Sequence, residues 1–300
     1  MSMQPGLTYT GRALPEAAGH APCPPDNAQT SSLDGTAPIS QAVSVDTPLL
    51  SVEDICLSFG GIHALDGVSY DVSRGEILSI IGPNGAGKTS MANIICGLYK
   101  PTSGRIAFEG KSRTNLAPQS VAGLGISRTF QNLALFRGLS VIENILVGRH
   151  RHMRAGLFGG GLHWGFSRQE ELEHRQFVEE IITFLEIEDI RSVPADTLSY
   201  GLQKRVELGR ALAAEPKLLM LDEPMAGMNG DEKLEMVRFI ADANVDLGTT
   251  IILIEHDMSV VMDISDHVVV LDHGCKIADG TAEEVASDDS VIKAYMGATE

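Results

Sequence analysis

Glycines at positions 82, 85 and 87, followed at once by Lys88 and Thr89, form the string GPNGAGKT at residues 82–89. It fits the pattern G-x-x-x-x-G-K-[ST], in which glycines let backbone N–H groups turn inward and cradle phosphates at a helix N-terminus. Lys88 is placed to reach the β and γ phosphates of a nucleoside triphosphate, and the Thr89 hydroxyl to bind Mg²⁺. Further along, the string LLMLDEP at 218–224 has an apolar run that fills a buried strand and ends on Asp222 and Glu223. Such a strand end lies beside the phosphate loop in doubly wound sheets. Asp222 then holds Mg²⁺ through water, and Glu223 polarises the attacking water as general base. Taken alone, the two acids could instead cap a helix ahead of Pro224; the P-loop upstream favours the catalytic reading.

These residues need elements to hold them. LLSVEDICLSF at 49–59 alternates as a strand does, and SYDVS at 69–73, after the GGIHALDG turn, is its antiparallel companion. EILSII is a short buried strand, the glycine loop follows, and KTSMANIICGLY is a helix with an apolar face. Strand, loop and helix in that order are the context a phosphate loop requires. RIAFEG and GISRTF are strand-like, residues 140–148 helical, and residues 150–167 a glycine-, histidine- and arginine-rich loop. From Ser167 to Glu188 the pattern is helical, with Leu172, Phe177, Ile181, Phe184 and Leu185 on one broad face. A further helix covers Gly201 to Ala214. LLMLD, TTIILI and HVVVLD then alternate as strands with helices at 230–247 and 257–264. That alternation predicts an α/β core with a mixed, mostly parallel sheet. An antiparallel β subdomain opens it, and an all-helical lobe at about 132–214 is inserted.

Bulk properties narrow the partners. The chain has 300 residues, 43% of them hydrophobic, enough for a real core. A formal charge of −17 argues against a nucleic-acid partner, which usually demands a basic patch. Cys23, Cys56, Cys96 and Cys275 are widely spaced with no C-x-x-C pair, which fits a reducing cytosol and neither a disulfide framework nor a zinc site. No apolar run approaches the ~20 residues a bilayer span needs, and the N-terminus lacks a signal-peptide pattern. Residues 1–47, rich in Pro, Gly, Ala, Ser and Thr, are expected to be a disordered tail ahead of one domain at 48–297.

The string LSYGLQK at 198–204 by itself gives a helix start, with Ser199 as N-cap and Gly201 permitting close approach of a phosphate. Its position ahead of LLMLDEP resembles the signature motif of ABC-type ATPases, whose usual form is LSGGQ. Tyr200 and Leu202 replace a glycine and a glutamine, while Ser199 and Gly201 remain. The resemblance covers about residues 48–297 and implies a P-loop NTPase core that binds ATP and Mg²⁺. Gly82, Asn84, Gly85, Gly87, Lys88, Thr89 and Ser90 would hold the nucleotide in one chain, and Ser199 and Gly201 would hold it from the opposing subunit. It also implies Gln131 in RTFQN as a sensor of γ-phosphate and Mg²⁺, His256 in IEHDM as the switch histidine, and Phe59 as an adenine stack. A core role for Phe59 is nearly as well supported by the residues alone. AGMN at 226–229 matches the D-loop, with Asn229 where many members carry aspartate.

Within that family, FGGIHALDGVS, RTFQNLALFRGLSVIENILVGRH, the glycine-rich stretch near 155–166, DEPMAGMN and the terminal KAYMG resemble ATP-binding subunits of branched-chain amino-acid importers. The resemblance implies a peripheral subunit on the cytoplasmic face of the inner membrane. Its partners would be a second, identical or homologous ATPase subunit, two membrane permeases and, indirectly, a periplasmic binding protein. A lipopolysaccharide-type exporter ATPase is the alternative within the family. A non-transport ABC ATPase on ribosomes or DNA fits less well: there is one ATPase domain, no sustained heptads, and a strongly acidic balance.

Overall fold

The computed structural model describes residues 47–129, 133–153 and 164–297. Gln131, residues 155–163 of the glycine-rich stretch and all but the last residue of the expected N-terminal tail lie outside the described residues. Strands β1 (Leu50–Phe59), β2 (Ile62–Val72) and β3 (Ile77–Ile81) lead into helix α1 (Lys88–Ile95). Next come β4 (Ser103–Phe108), β5 (Lys111–Ser112), the short α2 (Pro118–Val121) and β6 (Ile126–Arg128). Helices α3 (Val141–Gly148), α4 (Trp164–Phe184) and α5 (Tyr200–Leu212) follow. The chain then runs through β7 (Leu218–Asp222), α6 (Gly230–Val245), β8 (Thr250–Ile254), α7 (Met258–Ile264) and β9 (His267–Asp272). It closes with β10 (Cys275–Gly280), α8 (Ala282–Ala286) and α9 (Asp289–Gly297).

Two sheets result. The first is antiparallel, in the order β2-β1-β4-β5; the second runs β10-β9-β3-β8-β7-β6 and is parallel except for β10. Burial differs between them as their surroundings require. β1 alternates, with Leu50, Val52, Ile55 and Leu57 buried. Every residue of β3, β7 and β8 is buried, the mark of parallel strands covered on both faces. Period-two geometry divides their side chains between two cores. Leu218, Met220, Ile252 and Ile254 join the antiparallel sheet and α1, while Leu219, Leu221, Ile251 and Leu253 join α3, α4, α5 and α6. A third cluster sets Ile81, Val261 and Val268 against Ala282, Val285 and Val291 of the last two helices.

Several expectations change at element level. GISRTF contributes only three strand residues, and β2 begins at Ile62, so most of the supposed turn is strand. Strand β10 was not foreseen. Cys56 and Cys96 are free thiols.

The segment entering α3 is held by one buried amide. Asn144, 0% exposed, donates from Nδ2 to the carbonyls of Phe136 (3.2 Å), Leu139 (3.2 Å) and Ser140 (3.1 Å). Its Oδ1 accepts from the Phe136 N–H at 2.8 Å. Asn144→Ala strands several of these groups and should cost about 2–3 kcal/mol in urea unfolding, with no change in the cooperativity of the transition.

His267 joins three strands of the parallel sheet: it bonds Asp279 of β10 and lies 3.8 Å from Glu76, just ahead of β3. Its hydrogen bonds to Asp279 and then Glu76 raise its pKa to about 9. A raised histidine pKa stabilises the fold fully below the unfolded value of about 6.5, and that contribution is lost as pH climbs through about 9. The melting temperature should therefore fall between pH 7 and 10, and His267→Asn should flatten that part of the profile.

Candidate active site

Parallel pairing brings distant motifs to one rung. Ile80 of β3 lies opposite Ile254 of β8, and Ile254 lies opposite Asp222 of β7. Immediately beyond those rungs stand Gly82, Glu223 and the Glu255–His256 pair, so the three strands end together. The Glu223 N–H extends the ladder by donating to the Ile254 carbonyl at 2.9 Å. This is the carboxyl edge of the sheet, where open α/β folds bind ligands.

The loop between β3 and α1 is shaped by its glycines. Gly82 has φ +144°, and a Cβ there would sit 2.0 Å from the Leu271 carbonyl oxygen. Gly85 has φ +84° and open space where a side chain would project. The two glycines therefore do different jobs: one admits the backbone of β9, the other leaves the loop's rim clear. Lys88 is folded back, donating from Nζ to the carbonyls of Gly82 (2.6 Å) and Pro83 (3.0 Å). Burial pushes its pKa down, and Glu223 and then Asp222 oppose that shift. An ammonium held by loop carbonyls and flanked by carboxylates is ready to exchange those partners for phosphate oxygens.

Asp222 is 4% exposed, with Oδ2 held at 2.6 Å by Nη2 of Arg128. Its neighbour Glu223 is half-buried and takes φ +47°, a left-handed conformation that costs a non-glycine residue about 1–2 kcal/mol. Next to His256 lies Glu255, 1% exposed, which accepts from the N–H groups of Met225 and His256 at 3.2 Å each. Burial raises its pKa; its two backbone donors and His256 pull the other way, and Glu223 adds to the rise. His256 itself is 58% exposed. Asp257 beside it is drawn down to about 2, chiefly by Lys233 and then by the Ser259 hydroxyl. Arg128 and Glu255 were missed at the level of sequence. The available signal was a charged residue within or just past a buried strand, which demands a partner.

Ser199 and Gly201 do not join the loop of residues 82–89 within this chain. Ser199 caps α5 by accepting from the Leu202 N–H at 3.5 Å, and a Cβ on Gly201 would lie 2.4 Å from Glu232 Oε1 at the start of α6. Tyr200, in place of the usual glycine, stands over Gly227, where a Cβ would come within 3.3 Å of its ring. Asn229 is the N-cap of α6, accepting from the Glu232 N–H at 3.0 Å. Tyr200 and Asn229, two of the three departures from the usual motifs, are thus absorbed locally. Phe59 is 47% exposed and meets Tyr99 edge-on at 5.2 Å, so it is a surface aromatic and not a core one. It ends the hairpin whose Ala64 and Leu65 pack against Gly87.

The oxygen donors fit Mg²⁺. Among the described residues no cluster of three or more His, Cys, Asp or Glu could hold a metal ion. Thr89, opening α1, and Asp222 offer one hydroxyl and one carboxylate, a hard but sparse set that suits an ion keeping waters and phosphate oxygens. A cavity of about 620 Å³ beside the loop is bounded by Gly82, Pro83, Asn84, His256, His273 and Lys293. Its lining mixes polar and charged side chains, Asp272 among them, with apolar surface, and Ser199 and Gly201 take no part in it.

Comparison with known proteins agrees with this arrangement. The ABC transporter family model matches residues 65–226, and one for branched-chain amino acid ATP-binding cassette transporters matches residues 275–300. The high-affinity branched-chain amino acid transport ATP-binding protein BraF of Pseudomonas aeruginosa is 39% identical over 250 residues, spanning 83% of this chain and 98% of BraF. LivG of Escherichia coli, described in the same words, is 42% identical over 253 residues, spanning 83% of this chain and 98% of LivG. Among solved structures, the ADP conformation of MJ1267, an ATP-binding cassette of an ABC transporter, superposes with a TM-score of 0.73 at 34% identity. That match covers 84% of this chain and 99% of MJ1267.

The two loop glycines separate packing from backbone freedom. Gly82→Ala drives a methyl into fixed backbone and should lower stability by about 3 kcal/mol or more while abolishing nucleotide binding. Gly85→Ala meets only the backbone preference and should cost about 1–2 kcal/mol. Thermal unfolding of both variants, with and without nucleotide, measures the difference.

Proposed function

The chain belongs to the ABC transporter ATP-binding family, among the branched-chain amino acid transport ATP-binding proteins, and on that premise we propose that it powers uptake of branched-chain or related hydrophobic amino acids. The observation carrying the catalytic part is the rung Ile80–Ile254–Asp222, within one residue of which β3, β8 and β7 end and beyond which lie the P-loop, Glu223 and His256. No helix among the described residues is long and apolar enough to cross a membrane, so the solute path is assigned to separate permease subunits.

In the proposed reaction, backbone N–H groups of Gly82–Gly87 and the Lys88 ammonium neutralise the ATP phosphates. Glu223 accepts a proton from a water whose oxygen attacks the γ-phosphorus; the bond to the β-phosphate oxygen breaks and ADP leaves. His256 orients that water and the γ-phosphate from the neighbouring strand end. Thr89, Asp222 and Gln131 would hold Mg²⁺, which would supply charge neutralisation for the phosphates when bound. Phe59 is the surface against which adenine stacks, and its exposure supports that role. Ser199 caps α5 and Gly201 lies against Glu232 of α6, and both are proposed to serve a second subunit's nucleotide. The proposed assembly pairs two ATPase subunits, identical or homologous, under two permeases on the cytoplasmic face of the inner membrane, with a periplasmic binding protein acting at a distance. The domain proper is residues 48–297, with the helical lobe at about 132–214 and the segment before it as a tail.

Glu223→Gln should bind ATP with little loss, slow turnover by at least about 100-fold and trap a closed dimer. Size-exclusion chromatography with ATP and Mg²⁺ reads the dimer, and phosphate release reads the rate; wild-type turnover would end the assignment of Glu223 as base. The same variant, tagged and recovered from its host's membranes, should bring permease subunits with it. Recovery of ribosomal or chromosomal proteins in their place would reject the importer reading.

A further inference from the structure

Arg128 is absent from the set of residues that the sequence assigned to chemistry, yet it touches the centre of the site. It ends β6, the edge strand, and lies opposite Met220 on β7. Its Nη2 donates to Oδ2 of Asp222 at 2.6 Å, and its Nη1 donates to Oδ1 of Asn93 on α1 at 2.7 Å. The side chains of Arg128 and Asp222 are only 7% and 6% exposed. Thr129 reinforces the grip, because its N–H donates to the Met220 carbonyl at 2.9 Å and its Oγ1 accepts from the Asp222 N–H at 3.4 Å. Both the backbone and the carboxylate of Asp222 are thereby fixed by two consecutive residues of the neighbouring strand.

Burying such a pair contributes little stability, since desolvation roughly offsets the attraction and an apolar replacement is often neutral or better. What the guanidinium does supply is geometry. Its planar fork spans two acceptors on different elements, which a lysine's point charge cannot do. One end lies on the carboxylate and the other on the helix that begins with Lys88 and Thr89, so Arg128 spans the two structures that must present oxygen donors to one ion. Oδ2 is committed to Arg128, and Oδ1 is left to act as acceptor for a metal-bound water.

We infer that Arg128 is a positioning residue for Mg²⁺: by clamping Asp222 to Asn93 it fixes the distance between the strand-end carboxylate and the helix-start hydroxyl that share the ion. The inference rests on the proposed role of Asp222 at Mg²⁺. Residues that orient metal ligands from behind commonly matter 10–100-fold in metal affinity, and that range sets the expected effect.

The test is a Mg²⁺ titration of the full chain with a fluorescent ATP analogue bound, alongside the analogue's affinity in EDTA and a thermal melt. Arg128→Met, which keeps length and loses the fork, should raise the half-saturating Mg²⁺ by about tenfold or more and leave metal-free nucleotide affinity within about twofold. Asn93→Ala frees one arm only and should shift Mg²⁺ in the same direction by about threefold; it carries the test if Arg128→Met does not fold. Half-saturating Mg²⁺ that is unchanged or lower in a folded variant overturns the inference, as does an equal loss of metal-free nucleotide binding, which marks general damage. Asp222→Asn separates the two levels. If it shifts Mg²⁺ while the Arg128 and Asn93 variants do not, only Arg128 is misassigned; if it also leaves Mg²⁺ unmoved, the reading of Asp222 falls first.

Discussion

Parallel strand pairing is the interaction on which the site depends. β3, β8 and β7 are neighbours in that order, and their hydrogen-bond registers make them end within one residue of a common rung. A phosphate loop, a pair of acids and a histidine, more than a hundred residues apart in the chain at their extremes, become adjacent because the ladders permit no other alignment. Slipping one strand by a single residue would exchange its two faces. Leu219, Leu221, Ile251 and Leu253 would then leave the helical side for the side of α1 and the antiparallel sheet, and both cores would lose their fit. Burial on both faces thus locks the chemistry in register.

The same strand ends concentrate charge. Lys88, Arg128, Asp222, Glu223 and Glu255 lie close enough to perturb or pair with one another, and most are largely removed from water. Each is compensated in a different way: Lys88 by loop carbonyls, Asp222 by a guanidinium, Glu255 by two backbone N–H groups. Such an arrangement is poorly suited to stability alone and well suited to receiving a polyanion with a divalent cation, because incoming charges meet partners that are already oriented. The left-handed backbone of Glu223 belongs to the same pattern, a local strain held by the ladder bond of its own N–H to Ile254.

Two departures from the usual family motif are accommodated by their neighbours. A tyrosine at 200 fits because residue 227 is glycine, and an asparagine at 229 fits because it caps α6 as an aspartate would. The signature segment and the start of α6 therefore form one packed unit through Gly201 and Glu232. The helices α3–α5 share one hydrophobic core with α6 and the sheet.

Much was legible in the sequence, and for definite reasons. GPNGAGKT and LLMLDEP announce themselves because phosphate cradling and buried-strand carboxylates restrict residue types at short spacing, whereas IEHDM is legible only through the family resemblance. The α/β alternation was legible because helix and strand periods differ, and α3, α5 and α6 begin within one residue of the positions that their periodicity and caps implied. What the sequence could not supply was anything that depends on which strand lies beside which. Arg128 resembles an ordinary polar end to a short strand until β6 is placed next to β7; Glu255 resembles half of a motif until Met225 is brought against it. Strand order and register arise from long-range burial, a property of the whole chain, and so the partners of buried charges were decided by the tertiary structure alone.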